Sequence, residues 1–179
     1  MIPSILTLAF SLPRLTYVWP SKVLERKYEE VQPFHAYRKD NNQISTLTNL
    51  SYVEKEVVDL LIYHGIMDNN AIAAVLGSIR QESNFDPFNY NSYEEAFGIF
   101  QWRLDRKRRL EERCGNMTIR CQMHYAFSES DWKSIENELK TPGKSIEVYT
   151  QSMRKYLRYG IAGNRINYAY EYANILNQS

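Results

Sequence analysis

The sequence has very few cysteines, which excludes the class of small secreted domains that depend on a disulfide framework. Among its 179 residues, only Cys114 and Cys121 are cysteines. On one continuous helix, two residues at this spacing would lie about 10 Å apart, which is too far for a disulfide. Gly115 can break such a helix, which leaves a bridge as the alternative, but we expect two free thiols.

Histidine and net charge are also low. His35, His64 and His124 never fall into the spacing of a metal-binding motif with each other or with the cysteines, so we expect no metal and no cofactor. The 22 basic and 21 acidic residues nearly cancel, leaving a formal net charge of +1. A chain with so little excess charge has no general attraction for nucleic acid or for an anionic membrane.

Long apolar runs are missing too. The start, MIPSILTLAF, is too short to span a bilayer and lacks the basic residues of a signal peptide, so we expect neither a membrane span nor an export signal. Aromatic residues, in contrast, are plentiful, with 14 Tyr, 7 Phe and 3 Trp. Such rings suit sugar faces, but they also suit an ordinary core, and the core is the default interpretation.

Residues 1–45 differ in pattern from the rest of the chain. Prolines punctuate them, apolar stretches alternate with the charged run LERKYEE, and they end in the polar cluster RKDNNQ. This pattern predicts an extended N-terminal arm, followed by a compact domain over residues 46–179. Two interpretations of the arm stand about even: an anchor that docks the domain onto a larger assembly, or a segment that wraps around the domain's own core.

From residue 51 onward the pattern is helical. Ser51 and Glu54 form a capping-box signature, and a second helix begins after Asp68 with a regular apolar stripe and ends before Pro87. FGIFQW follows as a short strand or turn. Further helices are predicted over residues 104–113, 117–128, 131–140, 145–159 and 164–177. The sequence therefore predicts a mainly α fold with a small β or irregular lobe.

Glu82 is the candidate for chemistry. At about 100° per residue it lies roughly 20° around the helix axis from Val75, at the edge of the apolar stripe, and so points inward. We expect the small residues Ala71, Ala74 and Ser78 on the same side to leave room in front of the carboxyl. An apolar setting raises the pKa of a carboxyl, as a glycosidase general acid requires. The alternative is a helix-terminal glutamate that turns outward or pairs with an arginine.

Two motifs carry a resemblance to a known family. The run AIAAVLGSIRQESNFDP, followed by AFGIFQW, resembles the bacteriophage tail lysozymes and, more loosely, the goose-type lysozymes and lytic transglycosylases. The resemblance extends over about Val53 to Leu176, with a weaker echo at Arg165, Tyr168 and Ala169. It implies a lysozyme-like fold in which a glutamate at the end of a central helix faces a glycan cleft.

The resemblance also implies roles for individual residues. Glu82 matches the catalytic glutamate and Ser83 the serine that follows it. Along the cleft strand, Gly98 would let backbone approach the sugar, and Gln101 would offer its amide to an N-acetyl group or hydroxyl. Trp102 could stack on a sugar ring, although a Trp beside an apolar strand usually packs in the core. Among the C-terminal helices, Tyr168 is expected to share in substrate binding.

A second carboxylate is harder to assign. Asp86, Glu94, Glu95 and Asp105 are the candidates, and none matches a family position directly. A hydrolase of the usual design needs such a partner as a nucleophile or to activate water. Lytic transglycosylases use a single glutamate, because the C6 hydroxyl of the substrate attacks, so both outcomes stay open.

The expected function is cleavage of the β-1,4 bond between N-acetylmuramic acid and N-acetylglucosamine in peptidoglycan. The resemblance implies a virion component of the phage tail or baseplate that penetrates the cell wall locally and acts in the periplasm, with tail proteins as partners through residues 1–45. The alternatives are a free endolysin and a catalytically silent structural subunit. The basic run RLDRKRRLEER is interpreted as a solvated helix face with internal ion pairs, with attraction to the anionic wall as a second possibility and nucleic-acid binding disfavoured.

Overall fold

The computed structural model describes residues 49–178, so the predicted arm over residues 1–45 lies outside the described residues. The described range contains seven helices and one two-stranded antiparallel sheet. A search of these helices finds no candidate for a membrane span. The mainly α fold with a small β lobe is confirmed. The elements are α1 (Tyr52–Tyr63), α2 (Asn69–Ser83), β1 (Tyr90–Asn91), β2 (Ala96–Phe97), α3 (Leu104–Arg113), α4 (Ile119–Ser128), α5 (Ser130–Lys140), α6 (Ile146–Leu157) and α7 (Arg165–Leu176).

Local signals set the ends of the first two helices. The Ser51 backbone N–H donates to the Glu54 carboxylate at 2.7 Å, and the Ser51 hydroxyl accepts from the Glu54 N–H at 3.3 Å, which is the predicted capping box. The Asp68 carboxylate accepts from two backbone N–H groups in the first turn of α2. At the other end of α2, Asn84 takes the left-handed conformation that commonly terminates a helix.

Helix α2 is the central helix of the domain. Every residue from Ala71 to Ile79 is buried, so protein covers the helix on all sides rather than along one stripe. Ala71, Ala74 and Ser78 are at most 1% exposed, and the Ser78 hydroxyl donates back to the Ala74 carbonyl at 2.8 Å. The expectation that these small side chains leave open space in front of Glu82 is therefore wrong, because neighbouring helices fill that space.

Helix α7 packs directly on the backbone of α2 at Gly77. A Cβ atom at Gly77 would lie 2.6 Å from the Ala169 nitrogen and 2.7 Å from the Arg165 carbonyl oxygen. Real Cβ atoms do not approach backbone this closely, so only glycine permits the crossing. This contact brings the first turn of α7 alongside the C-terminal half of α2.

The cysteines form a disulfide, and the expectation of two free thiols was wrong. Cys114 and Cys121 are bridged, with their Cα atoms 5.9 Å apart. The geometry of a continuous helix does not apply, because α3 ends at Arg113 and α4 begins only at Ile119. The bridge closes the turn between the two helices, and a loop of this size contributes about 2 kcal/mol to stability in the chain-entropy treatment.

The crossing at Gly77 generates a stability prediction. We expect Gly77→Ala to lower the free energy of unfolding by about 1–3 kcal/mol, because the added methyl forces α7 away from α2. Denaturant unfolding followed by circular dichroism measures this loss. Gly115→Ala is the matched control: nothing lies within 4 Å of its Cβ position, so its effect should stay within about 0.5 kcal/mol. Equal effects of the two substitutions would contradict the close crossing.

Candidate active site

The Glu82 side chain lies in the last turn of α2 and is 15% exposed, so its inward orientation is confirmed. The Arg165 Nη2 donates to Glu82 Oε1. Burial raises the pKa of the Glu82 carboxyl above its ordinary value of 4.5, the Arg165 hydrogen bond and charge act in the opposite direction, and the Glu94 charge adds to the increase. The pKa of Glu82 is raised overall, because the effect of desolvation is larger than the opposing effect of the Arg165 guanidinium.

Arg165 is itself held firmly in place. Its Nη1 donates to the carbonyl oxygens of Ile161 at 3.0 Å and Ala162 at 2.7 Å, and its guanidinium carbon lies 3.8 Å from the centroid of the Tyr159 ring. Glu82 Oε2 accepts no hydrogen bond from the described part of the chain. The pairing with an arginine, which the sequence left as the alternative for Glu82, is therefore present, and it engages one carboxylate oxygen.

The segment between α2 and α3 is conformationally unusual. Non-glycine residues rarely adopt positive φ angles, and such strain concentrates at functional sites. Five of them do so between residues 84 and 104, with φ between 50° and 63°. They are Asn84, Phe85, Glu95, Gln101 and Leu104. This segment begins two residues after Glu82, and the surrounding structure must hold it in place.

Buried hydrogen bonds provide that support, and they correct the roles expected for Ser83 and Gly98. Ser83 is 3% exposed, and its hydroxyl lies 3.3 Å from the Ile79 carbonyl oxygen and 3.2 Å from that of Ile99. Gly98 is buried with φ of 79°, and a Cβ there would lie 2.5 Å from Gln122 Oε1. Neither residue faces open solvent as a substrate contact would. Both fix the segment against the core.

Gln101 and Trp102 also turn inward. The Gln101 Nε2 donates to the carbonyl oxygens of Gly98 at 2.9 Å and Asn89 at 3.2 Å, so its amide N–H groups are engaged within the turn. Trp102 is 0% exposed, and its Nε1 donates to Glu129 Oε2 at 2.9 Å. Stacking of Trp102 on a sugar is therefore wrong, and the core interpretation is confirmed.

Tyr168 lies one turn beyond Arg165 on α7 and is half-buried. The guanidinium carbon of Arg80 lies 4.1 Å from the centroid of its ring, and Arg80 also pairs with Glu171. The structure thus places Tyr168 against Arg80 on the outer side of α2. One ring face is covered by this contact.

The four candidate second carboxylates have different surroundings. Asp86 Oδ1 accepts from the Phe88 N–H at 2.8 Å in a local turn, Asp105 lies 3.6 Å from Arg108 on α3, and Glu95 is exposed at a positive φ. Glu94 lies 3.5 Å from Arg103, and of the four it is the one whose charge raises the Glu82 pKa.

Three groups of candidate residues escaped sequence reasoning. Gln122 is fully buried on α4 and accepts from the Ile99 N–H at 2.9 Å while donating to the Pro87 carbonyl at 2.7 Å, so it holds both ends of the segment. In the sequence, Gln122 could have been found as a polar residue within the otherwise apolar stripe of α4. Tyr159 packs on Arg165, and burial together with the Glu82 charge raises its pKa. The third group is a set of large exposed apolar side chains outside the helices: Phe88, Tyr90, Tyr93 and Ile161.

The sequence model of the phage tail lysozyme family matches residues 52–176, from α1 to the end of α7. The chain belongs to the phage tail lysozyme family. Searches of curated proteins and of solved structures find no match. Membership confirms the lysozyme-like fold and indicates glycosidase activity on peptidoglycan and association with a phage tail. Among the described residues of this tail lysozyme, no three metal-ligating side chains form a group.

The electrostatics of the tail lysozyme site generate a titration prediction. In carbon-13 NMR, the Glu82 carboxyl should titrate above 4.5 in the wild type. Arg165→Gln should move the Glu82 pKa further up, since a stabilising positive charge is lost, and Glu94→Gln should move it down, since a repelling negative charge is lost. Glu95→Gln is the control and should leave it unchanged. Shifts of the same sign in the first two variants would contradict this assignment.

Proposed function

We propose that this phage tail lysozyme cleaves the β-1,4 bond between N-acetylmuramic acid and N-acetylglucosamine, with Glu82 as the general acid. Its role would be local opening of the wall when the phage penetrates the cell, as part of the tail or baseplate. The observation that carries the proposal is a carboxyl at the end of the central helix whose pKa is raised by burial even though an arginine touches it. A general acid must keep its proton near the working pH, and burial shifts the pKa of Glu82 in that direction.

The two oxygens of Glu82 suit different tasks. Oε1 accepts from Arg165, while Oε2 has no hydrogen-bond partner in the described range, so Oε2 is the oxygen available to carry the proton. On cleavage, Oε2 donates this proton to the glycosidic oxygen as the bond to the anomeric carbon breaks. The resulting carboxylate then pairs with Arg165, and it takes a proton back from the incoming water or C6 hydroxyl in the return step.

The position of Arg165 supports this cycle. Because its Nη1 is held by two carbonyl oxygens, the guanidinium stays in place while Glu82 changes charge. Substrate binding removes further water from around Glu82, which favours the protonated acid. Arg165 then acts as a positioning residue that stabilises the carboxylate product of the first proton transfer.

Glu94 is the proposed second carboxylate. Its charge acts on Glu82, and it lies on the exposed turn between β1 and β2. In a hydrolase it would activate water or stabilise the oxocarbenium-like transition state. In a transglycosylase the C6 hydroxyl would attack instead, leaving an anhydro sugar. The exposed side chains of Phe88, Tyr93 and Ile161 are the proposed sugar contacts on either side.

The Glu82–Arg165 pair also favours a second candidate, a structural tail subunit that has the lysozyme fold without turnover. A buried ion pair can hold two helices in register without any catalytic role. The two functions differ in a single observable, which is cleavage of the wall. Substitution of Glu82 distinguishes them.

Glu82→Gln should abolish wall cleavage, because the amide has no acidic proton to donate. We expect a loss of about 10²–10⁴-fold in zymography and in turbidity loss of purified walls. Glu111→Gln is the matched control: its side chain is 49% exposed on α3, and activity should stay at the wild-type level. Circular dichroism checks that both variants fold. Equal clearing by wild type and Glu82→Gln would exclude Glu82, and a wild type that clears no wall type would support the structural subunit.

Neighbouring residues provide the test of the second carboxylate. Glu94→Gln should lower the cleavage rate about tenfold or more, because the charge near the reacting sugar is lost. Glu95→Gln, one residue away, should stay within about twofold of wild type. Mass spectrometry of the products distinguishes a reducing sugar from an anhydro sugar. If both variants retain full activity and anhydro products form, Glu94 has no catalytic role and the single-glutamate route applies.

A further inference from the structure

One face of α3 is lined by arginines that the proposed function does not use. Arg106, Arg109 and Arg113 follow one another at helical spacings of three and four residues, so their side chains share a face. Together with Arg158, which follows α6, they line a groove of about 630 Å³. The ends of α4 and α5 form its other wall. Glu82 and Arg165 are not among the lining residues.

The four arginines differ in how their charge is compensated. Arg106 donates from Nε and Nη2 to the two oxygens of Glu129, both at 2.8 Å, and Arg158 pairs with Asp131 at 2.6 Å. In the range 49–178, no carboxylate forms an ion pair with Arg109 or Arg113. Arg113 donates to a hydroxyl, Ser128 Oγ, at 3.1 Å. Two uncompensated guanidinium groups four residues apart repel each other, and a bound anion would relieve that repulsion.

The opposite side of α3 shows the contrast. There Lys107 pairs with Glu111, and Arg108 lies 3.6 Å from Asp105. Glu112 also lines the groove, but its carboxylate lies 2.7 Å from Arg108 and is paired with that residue. Internal ion pairing therefore engages the acids of the basic run, whereas Arg109 and Arg113 have no carboxylate partner among the described residues.

We infer that this groove binds a phosphate or carboxylate group of the bacterial wall through Arg109 and Arg113. Guanidinium groups recognise both anions with paired, charge-assisted hydrogen bonds. The anion would come either from the phosphodiesters of teichoic acid or from the stem-peptide carboxylates of peptidoglycan. The inference rests on the proposed function in one respect, that the wall is the target. Two uncompensated arginines in a confined groove suit one anionic group better than the long phosphate track of a nucleic acid.

The test is wall binding by the full chain in the Glu82→Gln background, so that the wall stays intact and the result does not depend on turnover. Co-sedimentation uses Gram-positive walls before and after hydrofluoric acid removes the teichoic acid, with duplex DNA as a third target. The test variant is Arg109→Gln/Arg113→Gln. The matched control is Lys133→Gln/Lys155→Gln, which removes the same charge from two exposed lysines outside the groove.

We expect the dissociation constant for walls to rise about tenfold in the arginine variant and less than twofold in the lysine control. If the two variants bind equally well to walls stripped of teichoic acid, the bound group is the teichoic acid phosphate. If the arginine variant still binds more weakly than the lysine control, the bound group is the stem-peptide carboxylate. Equal losses in both variants, no loss in the arginine variant, or a difference seen with DNA alone would overturn the inference. Should the double variant not fold by circular dichroism, the two single arginine substitutions make the same comparison.

Discussion

The contact between α2 and α7 at Gly77 is the constraint on which the site depends. Because α7 lies directly on the α2 backbone there, Arg165 in the first turn of α7 comes beside Glu82 in the last turn of α2. Any side chain at position 77 would push the two helices apart and would move Arg165 away from Glu82. The same packing excludes water from the Glu82 carboxyl. The close crossing of the two helices therefore explains both the raised pKa of Glu82 and its contact with Arg165.

The segment from Asn84 to Leu104 shows how a rigid core supports an unusual backbone. Its positive φ angles are unfavourable in isolation, and they persist because buried polar side chains fix both ends. Ser83 holds the turn to α2, and Gln122 holds it to α4. The motif residues that follow Glu82 thus support this segment from the core side. The sugar contacts that we propose are instead the exposed side chains of Phe88, Tyr93 and Ile161.

Features that depend on neighbours in the chain could be predicted from the sequence. The capping box at Ser51, the bounds of α3 and the inward direction of Glu82 follow from spacing and side-chain type, and the structure confirms them. Features that depend on tertiary contacts could not. The disulfide required knowing that the chain turns after Arg113, and the inward orientation of Trp102 required knowing that Glu129 accepts its N–H. Arg165 belongs to the weaker motif that resembles the family, but its contact with Glu82 depends on the crossing of α7 over α2.

The proposed general acid is a buried carboxyl with a raised pKa, and one of its two oxygens accepts no hydrogen bond from the described residues. The most direct measurement is the pH–rate profile of wall cleavage by the unmodified chain, compared with the NMR titration of Glu82 in the same protein. If Glu82 is the general acid, we expect the rate to fall with rising pH along a limb whose apparent pKa lies above 4.5 and matches that of Glu82. A rate that continues to rise through that pKa would contradict it.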